Sequence, residues 1–257
     1  MRRLWINGLH AGMEGVGQGV YAQRLLAMFA RHVESAVCEI TVVMPEQQVA
    51  RAAELLRPLH IEGRRLSQIN NPLLRATDWN IRFFALPELR EKGTIAFSPG
   101  SGWGLRTPRT LAMTYHDCIY RHFSAYMGRR FARAWLTRRA ERFLRHAKTV
   151  FTESEHAARD IHQLLGIAQE KIAVIPAWLP PEYSVELAQA QREAVRQKYR
   201  LPDRYWLYVG GYDIRKNVEF MIRAYTEAQK RSPCPHWFSR AGSRRQSVDS
   251  LQCSWRA

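Results

Sequence analysis

Short apolar runs alternate with stretches in which apolar residues recur every three or four positions, and this alternation runs through most of the chain. Leu4-Trp5-Ile6 reads as a strand, followed by a Gly-rich turn and a helix over 19–33. Residues 40–44 read as a second strand, closed by Pro45. Further strands are predicted over 95–99, 111–115, 149–152 and 171–175. Between the last two, Ser154 stands where a helix over 155–165 needs an N-cap, and Gly166 stands where that helix must stop. Strands alternating with helices argue for an α/β fold with a mostly parallel sheet covered on both faces.

Near residue 180 the texture changes. Pro176, Pro180 and Pro181 punctuate the chain, a polar helix is predicted over 185–199, and residues 205–209 make a new strand ending at Gly210-Gly211. A helix then begins near Asn217, with Val218, Met221, Ile222 and Tyr225 on one face. The pattern therefore predicts a first domain over 1–180 and the start of a second, incomplete α/β domain over 181–231. From Ser232 to Ala257 no isoleucine and no apolar run occurs, and neither period survives. Residues 232–257 are expected to be unstructured, because such a stretch buries too little surface to offset its ordering entropy. Two cysteines and two tryptophans in that stretch are unusual for a natural disordered tail and read as an out-of-frame product, with a genuine variable tail as the alternative.

Composition narrows the function classes. The 257 residues carry 39 Lys plus Arg against 23 Asp plus Glu, a formal charge of +16, with 46% hydrophobic and 24% charged residues. These values exclude bulk disorder. No apolar stretch is long enough to cross a bilayer, and the N-terminus breaks to Asn7-Gly8 too early for a signal-peptide core. Cys38, Cys118, Cys234 and Cys253 form no CxxC pair and no disulfide framework. A reduced, cytoplasmic protein is expected. The basic excess calls for an anionic partner: nucleic acid, an acidic membrane face or a phosphate-bearing substrate.

Three places could carry chemistry. Gly12, Gly15, Gly17 and Gly19 fall between a strand and a helix, where backbone N–H groups meet a phosphate. Their spacing is not GxGxxG, and Met44-Pro45-Glu46 ends the second strand, so a dinucleotide fingerprint is absent. Thr114-Tyr115-His116-Asp117 ends a strand, the edge of an open α/β sheet at which ligands bind. Cys118 has no companion cluster with metal-ligand spacing, and nothing in the sequence orients His116 as its base. Gly210-Gly211 with Arg215 and Lys216 precedes a helix, a combination of backbone donors, helix dipole and two cations that suits a diphosphate.

In this order, Gly15-Val16-Gly17 with Tyr21, His116-Asp117, Thr152-Glu153-Ser154-Glu155, Val174-Ile175-Pro176, and Leu207 to Gly211 with Arg215-Lys216-Asn217 resemble family 4 (group 1) retaining glycosyltransferases over about residues 1–231. The resemblance implies the GT-B architecture of two Rossmann-like domains, with 1–180 on the acceptor side and 181–231 opening the nucleotide-sugar side. The variant Asp213-Ile214-Arg215-Lys216-Asn217 looks most like mannosyl- and related transferases of bacterial surface-polysaccharide and lipopolysaccharide assembly. By that resemblance the donor is a nucleotide-diphosphate sugar and the acceptor a saccharide or lipid-linked chain. Gly15, Gly17, Gly210, Gly211, Arg215 and Lys216 would meet the donor, and His116 would contact the transferred sugar. Arg215 and Lys216 would neutralise the leaving diphosphate, so no metal and no other cofactor is implied. The family's paired glutamates, eight positions apart, have no counterpart from Ser232 onward, and the 257-residue chain is expected not to turn over.

One further pattern concerns location. Residues 129–148 hold Arg129, Arg130, Arg133, Arg138, Arg139, Arg142, Arg145 and Lys148 against a single acid, Glu141, with Phe131, Trp135, Leu136, Ala140, Phe143, Leu144 and Ala147 at helical spacing. The apolar face is expected to pack on the sheet, while the arginines offer peripheral contact with the anionic inner face of the plasma membrane. Three other classes compete. A nucleic-acid binder would need a recognition module, and none is present. A Rossmann oxidoreductase would need the missing fingerprint. A non-catalytic fragment would bind acceptor or partner without donor.

Overall fold

The computed structural model describes residues 2–12, 17–32, 38–53, 56–57, 59–66, 68–123, 131–177, 186, 188–211, 214–231, 236–241 and 244–247. The chain forms two compact units, Met1–Trp178 and Leu179–Ala257.

The first unit is an α/β layer structure. Its strands are β1 (Arg2–Asn7), β2 (Cys38–Pro45), β3 (His60–Arg64), β4 (Thr94–Ser98), β5 (Leu111–Thr114), β6 (Thr149–Thr152) and β7 (Ile172–Val174). They make one seven-stranded sheet in the order β3-β2-β1-β4-β5-β6-β7, and every pairing is parallel. Its helices are α1 (Gly17–His32), α2 (Glu46–Ala52), α3 (Pro72–Phe84), the short α4 (Ile119–His122), α5 (Phe131–Leu144) and α6 (Glu155–Leu165).

Successive strand residues point to opposite faces, so a doubly covered sheet has two cores. Ile6, Ile40, Val42, Met44 and Phe97 pack on one face with Tyr21, Leu25 and Leu26 of α1. Val43, Ala96 and Met113 pack on the other with Trp79, Phe83 and Phe84 of α3, Phe143 and Leu144 of α5, and Ile161 of α6. Leu136, Ala140, Phe143 and Leu144 of α5 thus lie in or against the core, as the pattern implied, whereas Trp135 of the same expected face is exposed and the side chain of Phe131 lies outside the described residues.

Local chemistry sets the helix ends. The Ser154 hydroxyl accepts from the Ala157 amide at 3.1 Å, and Gly166 closes α6 at φ 68° in the left-handed region, where a side chain would be strained. The Asn71 side chain accepts from Leu73 and Leu74 at 2.9 and 3.2 Å, with Pro72 opening α3. The pattern reading passed over β3, α2 and α3.

The second unit contains α7 (Gln189–Tyr199), β8 (Tyr205–Val209), α8 (Val218–Arg231), β9 (His236–Ala241) and β10 (Arg244–Ser247). β8 pairs in parallel with β9, and β9 pairs antiparallel with β10. Val218, Ile222 and Tyr225 of α8 pack against Trp237 of β9, while Trp206, Leu207, Val209 and Phe220 stay exposed. The structure therefore differs from the reading of 232–257 as wholly unstructured. The physical reason is Trp237, which is buried against α8 and stacks on Trp206 at 6.3 Å. A single aromatic anchor gave the strand a partner that no run of apolar residues announced.

Candidate functional site

In the first unit the polar strand ends gather at the carboxyl edge of the sheet, where a parallel α/β sheet presents its loops. β5 ends at Thr114, and the chain continues through Tyr115, His116 and Asp117 into α4. Asp117 accepts from the Ile119 amide, the first of α4, at 3.1 Å. β6 ends at Thr152, and Glu153 follows before the Ser154 cap.

These strand ends bring His116 and Glu153 together. His116 Nδ1 lies 3.3 Å from Glu153 Oε1, and the Thr152 hydroxyl donates to the His116 carbonyl at 3.4 Å. A carboxylate facing Nδ1 holds the proton on that nitrogen and leaves Nε2 as the reactive end. His116 Nε2 is buried and has no hydrogen-bond partner within the protein. Tyr21 of α1 meets the imidazole edge to face at 5.0 Å and 88°, and its hydroxyl pairs with Thr114 Oγ1 at 3.3 Å. Burial, with the Glu153 charge adding to it, pushes the Tyr21 phenol above its ordinary pKa despite the Thr114 bond. Tyr21 therefore serves as a neutral wall.

Two polar residues that the sequence pattern did not single out complete this edge. Asn7, fully buried at the end of β1, accepts from Trp79 Nε1 at 2.8 Å and from the Leu9 amide at 3.2 Å, and donates to Asn80 Oδ1 at 2.9 Å. His10 follows in the 3-10 turn Leu9–Gly12, buried, with Nδ1 unpartnered. Burial, and then the neighbouring His116, lower His10 to a pKa of about 4. Its ring fills the space where a Cβ at Gly100 would sit, 2.7 Å from His10 Cε1. Glycine at position 100 is thus what admits the imidazole.

Glu141, the lone acid in the basic helix, also has a task. It accepts from Tyr120 at 2.6 Å and from both ends of the Arg121 fork at 3.2 and 2.7 Å, which ties α5 to α4. Tyr120 in turn meets the Tyr115 hydroxyl at 2.7 Å. Cys118 is buried, and burial followed by the Asp160 and Asp117 charges pushes its thiol up to about 12. A thiol so raised is a poor nucleophile near neutral pH.

Among the glycines read as donor contacts, Gly15 lies outside the described residues. Gly17 opens α1 exposed, and a Cβ there would meet nothing within 4 Å. In the second unit, Gly210 follows β8, and a Cβ there would stand 2.7 Å from the Tyr208 hydroxyl, which donates to the Gly211 carbonyl at 2.8 Å. Gly211 itself has open space around its Cα. Arg215 and Lys216 lie in the 3-10 turn Ile214–Lys216, and Asn217 at φ 48° swings the chain into α8. Two cations and a helix N-terminus therefore share one corner. The first unit holds Gly17 and His116, and the second holds Gly210, Gly211, Arg215 and Lys216.

Of the basic stripe, Arg129, Arg130 and the side chain of Arg133 lie outside the described residues. Arg139 stacks over Trp103 at 4.4 Å and over Trp135 at 5.0 Å, so one arginine serves the fold. Arg138, Arg142, Arg145 and Lys148 are exposed. Among the described residues no helix is long and apolar enough to cross a membrane.

A family model described as Glycosyltransferase Family 4 matches residues 17–183. A segment of the chain is 32% identical over 92 residues to the serotype-specific mannosyltransferase WbdA of Escherichia coli, a match that covers 34% of this chain and 11% of that protein. Among solved structures, Anabaena Alr3699/HepE in complex with UDP-glucose superposes with a TM-score of 0.59 at 12% identity, covering 100% of this chain and 65% of that one. The UDP-GlcNAc 2-epimerase of Methanocaldococcus jannaschii superposes with a TM-score of 0.51 at 12% identity, over 93% of this chain and 65% of that one. The chain thus spans somewhat less than two thirds of these structures and a small part of the mannosyltransferase. At such identities the structural likenesses establish the fold, a GT-B-type α/β architecture with a Rossmann-like first domain.

Proposed function

This chain belongs to glycosyltransferase family 4, and we propose that it serves a retaining transfer of a hexose, mannose by its likeness to WbdA, from a nucleotide-diphosphate sugar to a growing bacterial surface polysaccharide or lipid-linked acceptor. The observation that carries the reading is His116, an imidazole steadied through Nδ1 by Glu153 with an unpartnered, buried Nε2 at the carboxyl edge of the sheet. In the transfer the bond from the anomeric carbon to the diphosphate breaks. An acceptor hydroxyl bonds the anomeric carbon on the same face, and its proton passes to the diphosphate oxygen that departs with the electron pair of the broken bond. His116 contacts the transferred sugar in this scheme, and Glu153 and Tyr21 fix the ring. Gly17 and Gly211, with open space at Cα, leave room for donor atoms against the backbone. Arg215 and Lys216 stabilise the departing diphosphate electrostatically, with no step that calls for a metal.

The test begins with binding. Titration with a panel of nucleotide-diphosphate hexoses, GDP-mannose and UDP-glucose among them, is expected to give one preferred ligand. Lys216→Ala then weakens that ligand by roughly 10–100-fold, the worth of a charge-assisted hydrogen bond to phosphate. Equal affinity in the wild type and the variant, or no binding of any diphospho-sugar, would remove the donor assignment.

Peripheral membrane contact belongs to the same proposal, since lipid-linked acceptors reside there. Exposed Arg138, Arg142 and Arg145 would supply it. Each cation near an anionic leaflet contributes about 1 kcal/mol, so Arg138→Gln, Arg142→Gln and Arg145→Gln together should weaken sedimentation with anionic vesicles roughly 100-fold. Wild-type binding must also fall as salt rises. Binding indifferent to salt would count against this contact.

A further inference from the structure

His122, His156 and Asp160 form a cluster that the transfer chemistry leaves unused. His122 closes α4, while His156 and Asp160 stand one turn apart on α6, so the cluster joins two elements that the sequence separates by 38 residues from His122 to Asp160. That separation is why no metal-ligand spacing is visible in the sequence, where only His156 and Asp160 fall at helical i, i+4 positions.

The geometry is that of a chelate. His122 Nε2 and Asp160 Oδ2 share a hydrogen bond at 2.7 Å that a bound ion would replace, His156 Nε2 lies 3.7 Å from the same oxygen, and one ligand atom from each residue falls within 4.8 Å of the other two. Ligands of tetrahedral zinc at bond lengths of about 2.0–2.1 Å are separated by about 3.3 Å, midway between the two observed edges. Even with the third edge at its 4.8 Å limit, a point about 2.4 Å from all three atoms exists, so adjustments of a few tenths of an ångström complete the site. Two imidazoles and one carboxylate are borderline donors that favour zinc, cobalt or nickel over calcium or magnesium. The two imidazole rings stand 6.3 Å apart and 35° from parallel, open on one side, with His156 74% exposed in its side chain. That opening leaves coordination positions for water.

We propose that His122, His156 and Asp160 bind a divalent transition-metal ion of the zinc class, which clasps α4 to the first turns of α6. The consequence follows from chain order. His116 lies just before α4 and Glu153 just before α6, so the clasp braces the two segments that carry the His116–Glu153 contact. The ion acts through the backbone there and touches no donor atom.

The experiment is calorimetric titration of the full chain with Zn2+, and with Co2+ for its visible absorption, in a buffer free of chelating thiols. One ion per chain is expected, with the absorption of a four-coordinate cobalt site. His156→Ala, which removes an exposed side chain and leaves the fold intact, should weaken binding about 10-fold or more, and Asp160→Asn should do the same with its shape preserved. Bound metal should also raise the melting temperature of the wild type and not of His156→Ala. Two results would overturn the site: no saturable binding, or binding that both variants retain unchanged, which would assign the metal to cysteines or scattered histidines elsewhere.

Discussion

Acidifying the protein from pH 6.5 to pH 4 should cost its first unit about 3 kcal/mol through one side chain, His10, beyond the ordinary titration of its carboxylates. In the unfolded chain this imidazole titrates near 6.5, whereas in the fold burial and the nearby His116 hold it at about 4. Between these values the unfolded state binds a proton that the native state refuses, so stability rises with pH across that window. The contribution is complete above pH 6.5 and is lost as pH falls through 4. The ring is packed against Gly100, and a proton added at its buried Nδ1 would find no acceptor there. Urea unfolding of the wild type and His10→Asn, at pH 7 and at pH 4.5, isolates the effect. The variant starts less stable but should lose several-fold less between the two pH values. Equal pH losses in the two proteins would show that His10 is accessible to protons in the fold.

Much of the architecture was legible because its signals are local. The strand over 149–152, the Ser154 cap and the Gly166 stop are each decided within a few residues, and the structure has β6 and α6 at those bounds. Residues 205–209 were equally plain, with five consecutive apolar or aromatic positions. α3 escaped because its buried face includes Asn80, a polar residue that interrupts the apolar stripe, although Asn71-Pro72 announces its start. β3 escaped because an edge strand reading His60-Ile61-Glu62-Gly63-Arg64 carries little apolar signal. The site divides in the same way. His116 stands at a strand end, a position sequence can read, but its contact with Glu153 depends on two strands lying side by side. Asn7 and His10 acquire their meaning only from burial among residues such as Asn80, 73 positions from Asn7. Glu141 offered one clue, a lone acid in a basic helix, and its partners Tyr120 and Arg121 lie 21 and 20 positions away.

Asn7→Leu is expected to destabilise the first unit by about 3–5 kcal/mol, the largest effect of any single conservative change at this edge. Leucine keeps the branched outline of asparagine and, being the larger of the two, opens no cavity at this fully buried position. What is lost is the hub of a buried network. The Trp79 indole N–H, the Leu9 amide and Asn80 Oδ1 would each be left without the partner seen here, and each orphaned buried group costs about 1–3 kcal/mol. Water has little access, since Asn7 is fully buried and Trp79 and Asn80 nearly so. The network also matters to the site, because Asn7 ends the interior strand β1 and its side chain fixes the Leu9 amide that opens the turn bearing His10. A double-mutant cycle distinguishes this account from a loss of packing. Trp79→Phe removes one of the orphaned donors in advance, so Asn7→Leu should cost about 1 kcal/mol or more less in the Trp79→Phe background than in the wild type. If the two costs instead add, Asn7 and Trp79 act independently and the hub reading fails. If they couple, the same pair should also shift the His10 ring resonances, because the turn that carries His10 hangs from the Leu9 amide.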